Sequence, residues 1–227
     1  MSFVDRIEAG RRLADALETY DGKETVVLAL PRGGLPVAAE VAARIGSPLD
    51  LLIVRKIGVP YQPELAMGAV VDGDAPVVVR NEDVIRQAEI TQAEFDRVRD
   101  HELAEIERRR ARYLAGRQPV EVKDRTVIVV DDGIATGATV RAAIRGLRRR
   151  KPREIVLAVP VAPPDTVAML EKEADRVVCL EQPSFFQAIG LHYRDFRQIS
   201  DEEVIATLAA FPPPVASKGD GEGKDQA

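Results

Sequence analysis

Two adjacent carboxylates and the small residues that follow them form the strongest chemical signal in the sequence. Asp131 and Asp132 follow the apolar run 127–130 and precede a loop that contains Gly133, Ala135, Thr136, Gly137, Ala138 and Thr139. The two carboxylates can accept hydrogen bonds from both hydroxyls of a ribose, and they can hold the waters of a hard cation such as Mg²⁺. Small residues let backbone N–H groups approach a phosphate, and a helix N-terminus behind them adds partial positive charge. This order of groups fits a sugar phosphate.

An ordinary strand-to-helix turn is the simplest alternative, with Gly137 in the turn and Thr139 as the helix N-cap. Two carboxylates at a strand end are costly without a cationic partner, which argues against that alternative. A Walker-type phosphate loop is disfavoured because the Gly-Lys-Ser/Thr ending is missing, and the dinucleotide fingerprint Gly-x-Gly-x-x-Gly does not occur. The loop is therefore interpreted as a sugar-phosphate site.

Apolar runs that alternate with helical patterns predict one α/β domain over residues 1–210, which would position this loop. Strands are predicted at 25–30, 49–54, 126–130, 155–161 and 176–180, and helices at 36–45, 139–150 and 164–174. An amphipathic helix is also predicted at the N-terminus, with one side formed by Phe3, Ile7, Leu13, Ala14 and Leu17. Strand, glycine turn, helix and strand in succession are typical of a parallel sheet, here of about five strands flanked by helices.

Other segments lie outside this alternation of strands and helices. They are a hairpin around Asp72-Gly73-Asp74, a helical insertion at 81–118, a hood-like cap at 183–210 and a disordered tail at 211–227. A capping box formed by Thr91 and Glu94 divides the insertion into two helices. These helices either pack on the sheet or form a homodimer contact.

Composition and charge narrow the classes of function. With 45% hydrophobic residues, the 227-residue chain can bury a core without a disulfide. Its formal charge of -5 disfavours nucleic acid as a partner. Cys179 lies in an apolar run and is interpreted as a buried strand residue rather than a reactive thiol. Neither a membrane-spanning run nor a secretory signal is present, so we expect no membrane partner and a cytoplasmic location.

The loop resembles a known family signature. The segment Val129-Val130-Asp131-Asp132-Gly133-Ile134-Ala135-Thr136-Gly137-Ala138-Thr139 is similar to the signature of the type I phosphoribosyltransferases, which bind phosphoribosyl pyrophosphate (PRPP). The resemblance implies that Asp131 and Asp132 contact the ribose hydroxyls and hold Mg²⁺ through water, while 135–139 hold the 5-phosphate. It covers roughly 25–180 in element order and implies a parallel sheet core. The whole set is most similar to a bacterial branch whose acceptor the sequence does not reveal.

Two further segments match less specific features of that family. The resemblance implies pyrophosphate contacts from Arg32, Gly33, Gly34, Arg55 and Lys56. Exposed amides beside Arg32 suit that anion, although a surface turn is the alternative. Residues 57–64 resemble the family's mobile catalytic loop, and a basic residue at a strand end is the alternative for Lys56. The residues implied to be catalytic are Arg32, Lys56, Asp131 and Asp132.

The acceptor is expected beneath the C-terminal cap, where aromatic and titratable residues cluster. They are Phe185, Phe186, His192, Tyr193, Asp195 and Phe196. Aromatic faces could stack a base, and His192 or Asp195 could take its proton; core packing and a structural histidine are the alternatives. Family members that act on 6-oxopurines are expected to carry an acid at the fifth loop position, which is Ala135 here. Adenine-like, pyrimidine and unusual acceptors therefore stay open.

These features favour a transferase that moves the phosphoribosyl group of Mg²⁺–PRPP to a nucleobase or related nitrogen heterocycle and releases pyrophosphate. The alternative is a regulatory or sensing protein that binds PRPP without turnover. Arg32 and Lys56 favour chemistry, because a sensor has no departing pyrophosphate to stabilise. A phosphatase on the same fold has no dedicated metal cluster in the sequence to support it.

Overall fold

The computed structural model of the protein describes residues 2–73 and 76–212. Its helices are α1 (Arg6–Asp15), α2 (Gly34–Ile45), α3 (Glu82–Gln87), α4 (Gln92–Tyr113), α5 (Ala138–Arg149), α6 (Pro164–Leu170) and α7 (Asp201–Ala209). Its strands are β1 (Thr25–Ala29), β2 (Leu49–Leu51), β3 (Val54–Val59), β4 (Gln62–Val71), β5 (Val77–Arg80), β6 (Thr126–Val130), β7 (Glu154–Val161) and β8 (Arg176–Glu181). A 3-10 turn spans Ile189–His192.

Five parallel strands form the main sheet in the order β2-β1-β6-β7-β8, which confirms the predicted fold class. β1 and β6 are neighbours and stay in register up to Ala29 opposite Val130. Both strands are buried along their whole length, as expected for strands with helices on both faces. The strand predicted at 49–54 ends earlier, at Leu51. Because β1 and β6 are parallel and in register, the segments that follow them reach the same edge of the sheet.

Alternate residues of the central strands enter two hydrophobic layers. Val27 and Ala29 belong to the layer that α1 and α2 cover, whereas Val127 and Val129 belong to the layer covered by α5 and α6. The buried side of α1 consists of Arg6, Ala9, Gly10, Leu13 and Ala14. Ile7, which the sequence places on that side, is 44% exposed, so the prediction for this residue is wrong. The buried stripe of α1 runs through an arginine instead.

A second, antiparallel sheet has the order β3-β4-β5. β4 and β5 form the predicted hairpin, of which Asp74 lies outside the described residues. The prediction that 57–64 form an irregular loop is wrong, because β3 pairs with β4 along its length, and the catalytic role implied for this segment stays a prediction. Ile57 and Val59 are buried, and a register shift at Gly58 lets the strand bend without leaving the pairing. Gly58 and Pro63 therefore lie within the strands, and Pro60 lies in the turn between them.

The helical insertion packs on this second sheet. Phe95 and Ile106 of α4 are fully buried in the same core as Ile57 of β3. The capping box of Thr91 and Glu94 is present and starts α4, which confirms the predicted division into two helices. Packing on a sheet is thus observed, and a homodimer contact stays a prediction.

The C-terminal segment returns to the N-terminus of the chain. Phe3 forms a β-bridge with Tyr193, and both rings are buried in a small third cluster with Val161. Helix α7 lies against α2 and α4. Beyond residue 212 the predicted disordered tail lies outside the described residues. In the part that the structure describes, every helix is too short or too polar to cross a bilayer.

Candidate functional site

The turn between β6 and α5 offers a row of backbone amides to a ligand. In the described part of the chain, no protein group accepts a hydrogen bond from the amides of residues 135–139. Four of these five residues are exposed, and the buried one, Gly137, precedes α5 with a φ of 74°. The amides lie at the positive end of the α5 dipole, where a phosphate is stabilised. Thr136 and Thr139 add two exposed hydroxyls.

The carboxylate pair lies directly before this turn and is shielded from solvent. Asp132 is 7% exposed, and its amide donates a 2.9 Å hydrogen bond to Asp131 Oδ1. Asp131 is half-buried. Burial raises the pKa of Asp131 well above its usual range, and the neighbouring charge of Asp132 adds to that increase. Two carboxylates in such surroundings are stabilised by donors and cations that reach them.

A buried arginine on α1, which the sequence analysis did not identify, supplies one such cation. Arg6 Nε lies 2.8 Å from Asp132 Oδ2, and the arginine side chain is 9% exposed. Its Nη1 donates a 2.9 Å hydrogen bond to the Arg197 carbonyl, and its guanidinium carbon lies 3.9 Å from the centre of the Phe196 ring. One sequence signal could have revealed it: a charge at helical spacing from Leu13 in a buried stripe needs an acidic partner.

The loop after β1 packs directly against the carboxylate pair. The Leu30 amide donates a 2.9 Å hydrogen bond to the Val130 carbonyl, so the two loops leave the sheet together. A Cβ atom on Gly33 would lie 2.0 Å from Asp132 Oδ2, and one on Gly34 would lie 2.7 Å from the Val130 carbonyl oxygen. Only glycine permits such an approach. The structure therefore brings Gly33 and Gly34 to the predicted sugar-phosphate turn.

Arg32 belongs to this loop, but its guanidinium is directed towards α7. Arg32 Nη1 lies 3.4 Å from Asp201 Oδ1. The same carboxylate accepts a 2.6 Å hydrogen bond from the Tyr113 hydroxyl and pairs with Arg112. The Arg32 side chain is 36% exposed, and ion pairs at this exposure are weak. Arg32 is thus near the site, with a partner from which it can separate.

Arg55 and Lys56 lie on opposite faces of β3, as neighbouring strand residues do. Arg55 donates a 2.7 Å hydrogen bond to Glu102 of α4 and does not line the cleft beside the turn. Its predicted pyrophosphate contact stays a prediction. Lys56, in contrast, lines a cleft of about 130 Å³ together with Ala138 and Thr139. Only the lysine of this pair is brought to the edge of the turn.

The hood residues divide into exposed and structural groups. Phe185 is 78% exposed, and Phe186 stacks on His192 with ring centres 5.3 Å apart. Tyr193 is 1% exposed, and its hydroxyl donates a 2.6 Å hydrogen bond to the Asp132 carbonyl. The prediction of an acceptor contact for Tyr193 therefore does not fit, because burial removes its ring from any ligand. Its bond supports the backbone of the carboxylate pair.

Metal binding by this site would have to be shared with a ligand. Within residues 2–73 and 76–212, no group of three or more His, Cys, Asp or Glu side chains could hold a metal ion. The chemistry of the pair does fit a hydrated Mg²⁺, because Asp132 is bonded to Arg6 while Asp131 pairs with no cationic side chain of the described chain. A hard cation can be held there through water and through phosphate oxygens of the ligand.

The fold and the two joined loops define the class of this protein. It is an α/β protein with a parallel sheet, and its two joined loops lie at the carboxyl ends of adjacent strands, where ligands bind in open α/β sheets. Residues 5–195 match the family described as the phosphoribosyl transferase domain, and the chain belongs to that family. Its sheet and flanking helices are those of the type I phosphoribosyltransferase fold.

Two relatives and one solved structure cover most of the chain. "Putative phosphoribosyl transferase Rv0571c" and "Putative phosphoribosyl transferase MT0597", from two strains of Mycobacterium tuberculosis, are each 50% identical over 206 residues, which are 91% of this chain. The match covers 46% of each relative, so the chain spans about half their length. The crystal structure of TT1426 from Thermus thermophilus is 41% identical with a TM-score of 0.83, over 93% of this chain and 100% of that one.

Proposed function

We propose that the protein binds Mg²⁺–PRPP at residues 131–139 and transfers its phosphoribosyl group to a nitrogen heterocycle, releasing pyrophosphate. One observation carries the proposal: a turn whose five amides have no acceptor among the described residues follows a carboxylate pair, and a glycine loop packs on that pair. In this assignment Asp131 and Asp132 accept hydrogen bonds from the ribose hydroxyls, and the amides of 135–139 bind the 5-phosphate. The Gly33 amide binds the pyrophosphate, while the Gly34 amide donates a 3.1 Å hydrogen bond to the Leu30 carbonyl and holds the loop in place.

Catalysis of this reaction requires orientation of the sugar and electrostatic stabilisation of the leaving group. When the bond between the anomeric carbon and pyrophosphate breaks, the sugar becomes positive and the leaving group more negative. Fixed amides and the cations Arg32 and Lys56 stabilise that leaving group, while Asp131 and Asp132 hold the sugar in place. Arg32 and Lys56 each pair with a partly or fully exposed carboxylate, so a change of rotamer frees them. Bound Mg²⁺ supplies neutralising charge to the phosphates.

The acceptor is proposed to enter beside the hood. Phe185 exposes its ring, and the stacked pair Phe186 and His192 is partly accessible, so these three side chains can contact a flat heterocycle. Ala135 has no group that could take a proton from an acceptor. We therefore propose an acceptor whose nitrogen is already a nucleophile, or one that loses its proton to His192 or Asp195.

A second candidate function is a PRPP sensor without turnover, and one observation favours it. In this structure Arg32 pairs with Asp201 and Lys56 pairs with Glu64, so the two cations assigned to the leaving group are both engaged elsewhere. A sensor needs the turn and the carboxylate pair but no mobile cation. The two candidates thus predict equal binding of PRPP and different release of pyrophosphate.

A screen for pyrophosphate release distinguishes the two candidates. The protein, Mg²⁺ and PRPP are incubated with single nucleobases and related heterocycles, and pyrophosphate is measured against a mixture without acceptor. A transferase gives release that depends on one acceptor class and yields the matching nucleotide. Tight binding of PRPP with no acceptor-dependent release across the panel would instead establish the sensor.

Binding itself is tested with Asp132→Asn. A charge-assisted hydrogen bond is worth roughly 1.5 to 3 kcal/mol, so we expect the affinity for Mg²⁺–PRPP to fall by about tenfold or more. Calorimetry measures this, with Asp165→Asn as a control because Asp165 is exposed at the start of α6. Thermal unfolding of each variant monitors the fold. Unchanged affinity in a folded Asp132→Asn protein would contradict the proposal that residues 131–139 bind Mg²⁺–PRPP.

A further inference from the structure

Arg6 joins three parts of the chain at the carboxylate pair. Its Nε donates to Asp132 Oδ2 at 2.8 Å, and its Nη1 donates to the Arg197 carbonyl at 2.9 Å. The ring of Phe196 lies 3.9 Å from the guanidinium carbon. These contacts connect α1, the turn after β6 and the hood segment before α7. The guanidinium is thus fixed on two edges and one face.

Asp132 is held equally firmly from its other side. The Tyr193 hydroxyl donates a 2.6 Å hydrogen bond to the Asp132 carbonyl, and Gly33 lies in contact with the carboxylate. Within the described residues, Oδ2 accepts the bond from Arg6, and no protein donor reaches Oδ1. The carboxylate therefore has one oxygen fixed by the protein and one left for a ligand. A carboxylate oxygen that is oriented before the ligand binds loses little conformational entropy on binding.

We propose that Arg6 is a positioning residue for sugar recognition: it orients Asp132 so that Oδ1 accepts a hydrogen bond from a ribose hydroxyl. This inference rests on the proposed function of the turn. The ion pair also ties the hood segment at Arg197 to the sugar site, because one guanidinium bonds to both. Arg6 does not contact the sugar; it acts through Asp132.

The test compares dissociation constants for Mg²⁺–PRPP, measured by calorimetry. Arg6→Met keeps the apolar stem and removes the charge, and we expect affinity to fall at least tenfold. Arg6→Lys keeps the charge but cannot reach both partners, so its affinity should lie between those of the wild type and Arg6→Met. Arg11→Met is the matched control, since Arg11 lies on the same helix, is 70% exposed and pairs with Glu40. It should bind within twofold of the wild type.

A double-mutant cycle separates positioning from a general structural effect. In an Asp132→Asn background, Arg6→Met should change affinity by less than twofold, because the oriented carboxylate is already lost. A tenfold loss in both backgrounds would overturn the inference, and so would an unchanged affinity in folded Arg6→Met. Where Arg6→Met does not fold, Arg6→Lys takes its place in the cycle, with a loss of at least threefold expected in the wild-type background only.

The outcomes for the two proposals are distinct. Wild-type protein that binds Mg²⁺–PRPP, together with Arg6 variants that bind equally well, overturns the role of Arg6 and leaves the proposed function intact. Wild-type protein that does not bind Mg²⁺–PRPP overturns the proposed function and this inference with it. Circular dichroism and thermal unfolding, recorded for every variant, identify any loss of fold.

Discussion

The amine of Lys56 lies 3.1 Å from Glu64 Oε2, and the Glu64 side chain is 95% exposed. A pair this exposed contributes little, so the lysine can leave Glu64 for a phosphate. Lys56→Ala is expected to slow acceptor-dependent pyrophosphate release by roughly tenfold or more, as the loss of one stabilising donor does. PRPP affinity should stay close to that of the wild type, because the amides and carboxylates are intact.

Steady-state rates and calorimetry together check this prediction. Glu64→Gln serves as the control, since it weakens the partner of the lysine and leaves the lysine itself. Wild-type turnover in Lys56→Ala would exclude the residue from the mechanism.

The buried hydroxyl of Tyr193 supports the backbone at Asp132. Tyr193→Phe removes its bond to the Asp132 carbonyl and leaves the ring in place. We expect the free energy of unfolding to fall by about 1 kcal/mol, the net value of one buried hydrogen bond. Relative rates with different acceptors should not change, because the ring is closed to ligands. Urea unfolding and an acceptor series measure the two effects, and an altered acceptor preference would return Tyr193 to the acceptor site.

At the scale of elements, the sequence predicted the parallel strands well because each is an unbroken apolar run. β1 and β6 are buried on both faces, and such strands read as continuous hydrophobic segments. The hairpin of β3 and β4 was missed because Gly58, Pro60 and Pro63 are typical turn residues. Only the pairing with β4 shows that Gly58 lies at a register shift inside a strand. Local propensity was overridden there by tertiary pairing.

Gly137 provides a test at the junction of turn and helix. It precedes α5 with a φ of 74°, a left-handed conformation, and an added Cβ would lie 3.0 Å from Met169 Cε. Gly137→Ala is expected to lower the free energy of unfolding by roughly 1 to 2 kcal/mol and to weaken PRPP binding, because the amide row would shift.

The control for this change is Gly116→Ala. Gly116 has a similar φ of 75° and nothing within 4 Å of an added Cβ. It should lose similar stability and keep its PRPP affinity. Equal affinity losses in both variants would show that the binding effect comes from reduced stability rather than from the turn.

At the scale of the whole molecule, Cys179 reports on global unfolding. It is partly buried in β8 at the edge of the main sheet, and burial raises the pKa of its thiol to about 11. A thiol with such a pKa reacts slowly, because the thiolate is the nucleophile. We expect iodoacetamide to label the native protein slowly and the unfolded chain quickly. Native labelling at the rate of a free thiol would contradict the partial burial of this thiol.

The same thiol predicts the direction of one pH effect on stability. The folded pKa lies above the unfolded value, so the unfolded chain releases its proton first as pH rises. The contribution of this thiol to the free energy of unfolding is fully present below the unfolded thiol pKa and is lost as pH rises towards about 11. Urea unfolding at several alkaline pH values should therefore give a steeper decline for the wild type than for Cys179→Ala. Parallel declines would exclude the thiol as a cause.

The sequence could not reveal the contact between Arg6 and Asp132, which lie 126 positions apart. The sequence does show a charged residue, Arg6, on the apolar stripe of the N-terminal helix, and two acidic residues at the end of a strand. The pairing of the two follows only from the way α1 and the C-terminal segment close around the sheet. Long-range ion pairs of this kind depend on the assembled fold, so local patterns predict the candidate ligand turn but not the arginine that pairs with it.

The neighbouring positions of β1 and β6 have one more consequence. The chain between them builds α2, β2, the entire second sheet and the paired helices, yet none of these elements separates the two strands. Because β1 and β6 pair directly, a change of length or surface in the inserted helices or in the β4–β5 hairpin need not separate the two loops that follow these strands. Gly33, Gly34 and Lys56 lie in the same stretch of chain and are excepted from that freedom.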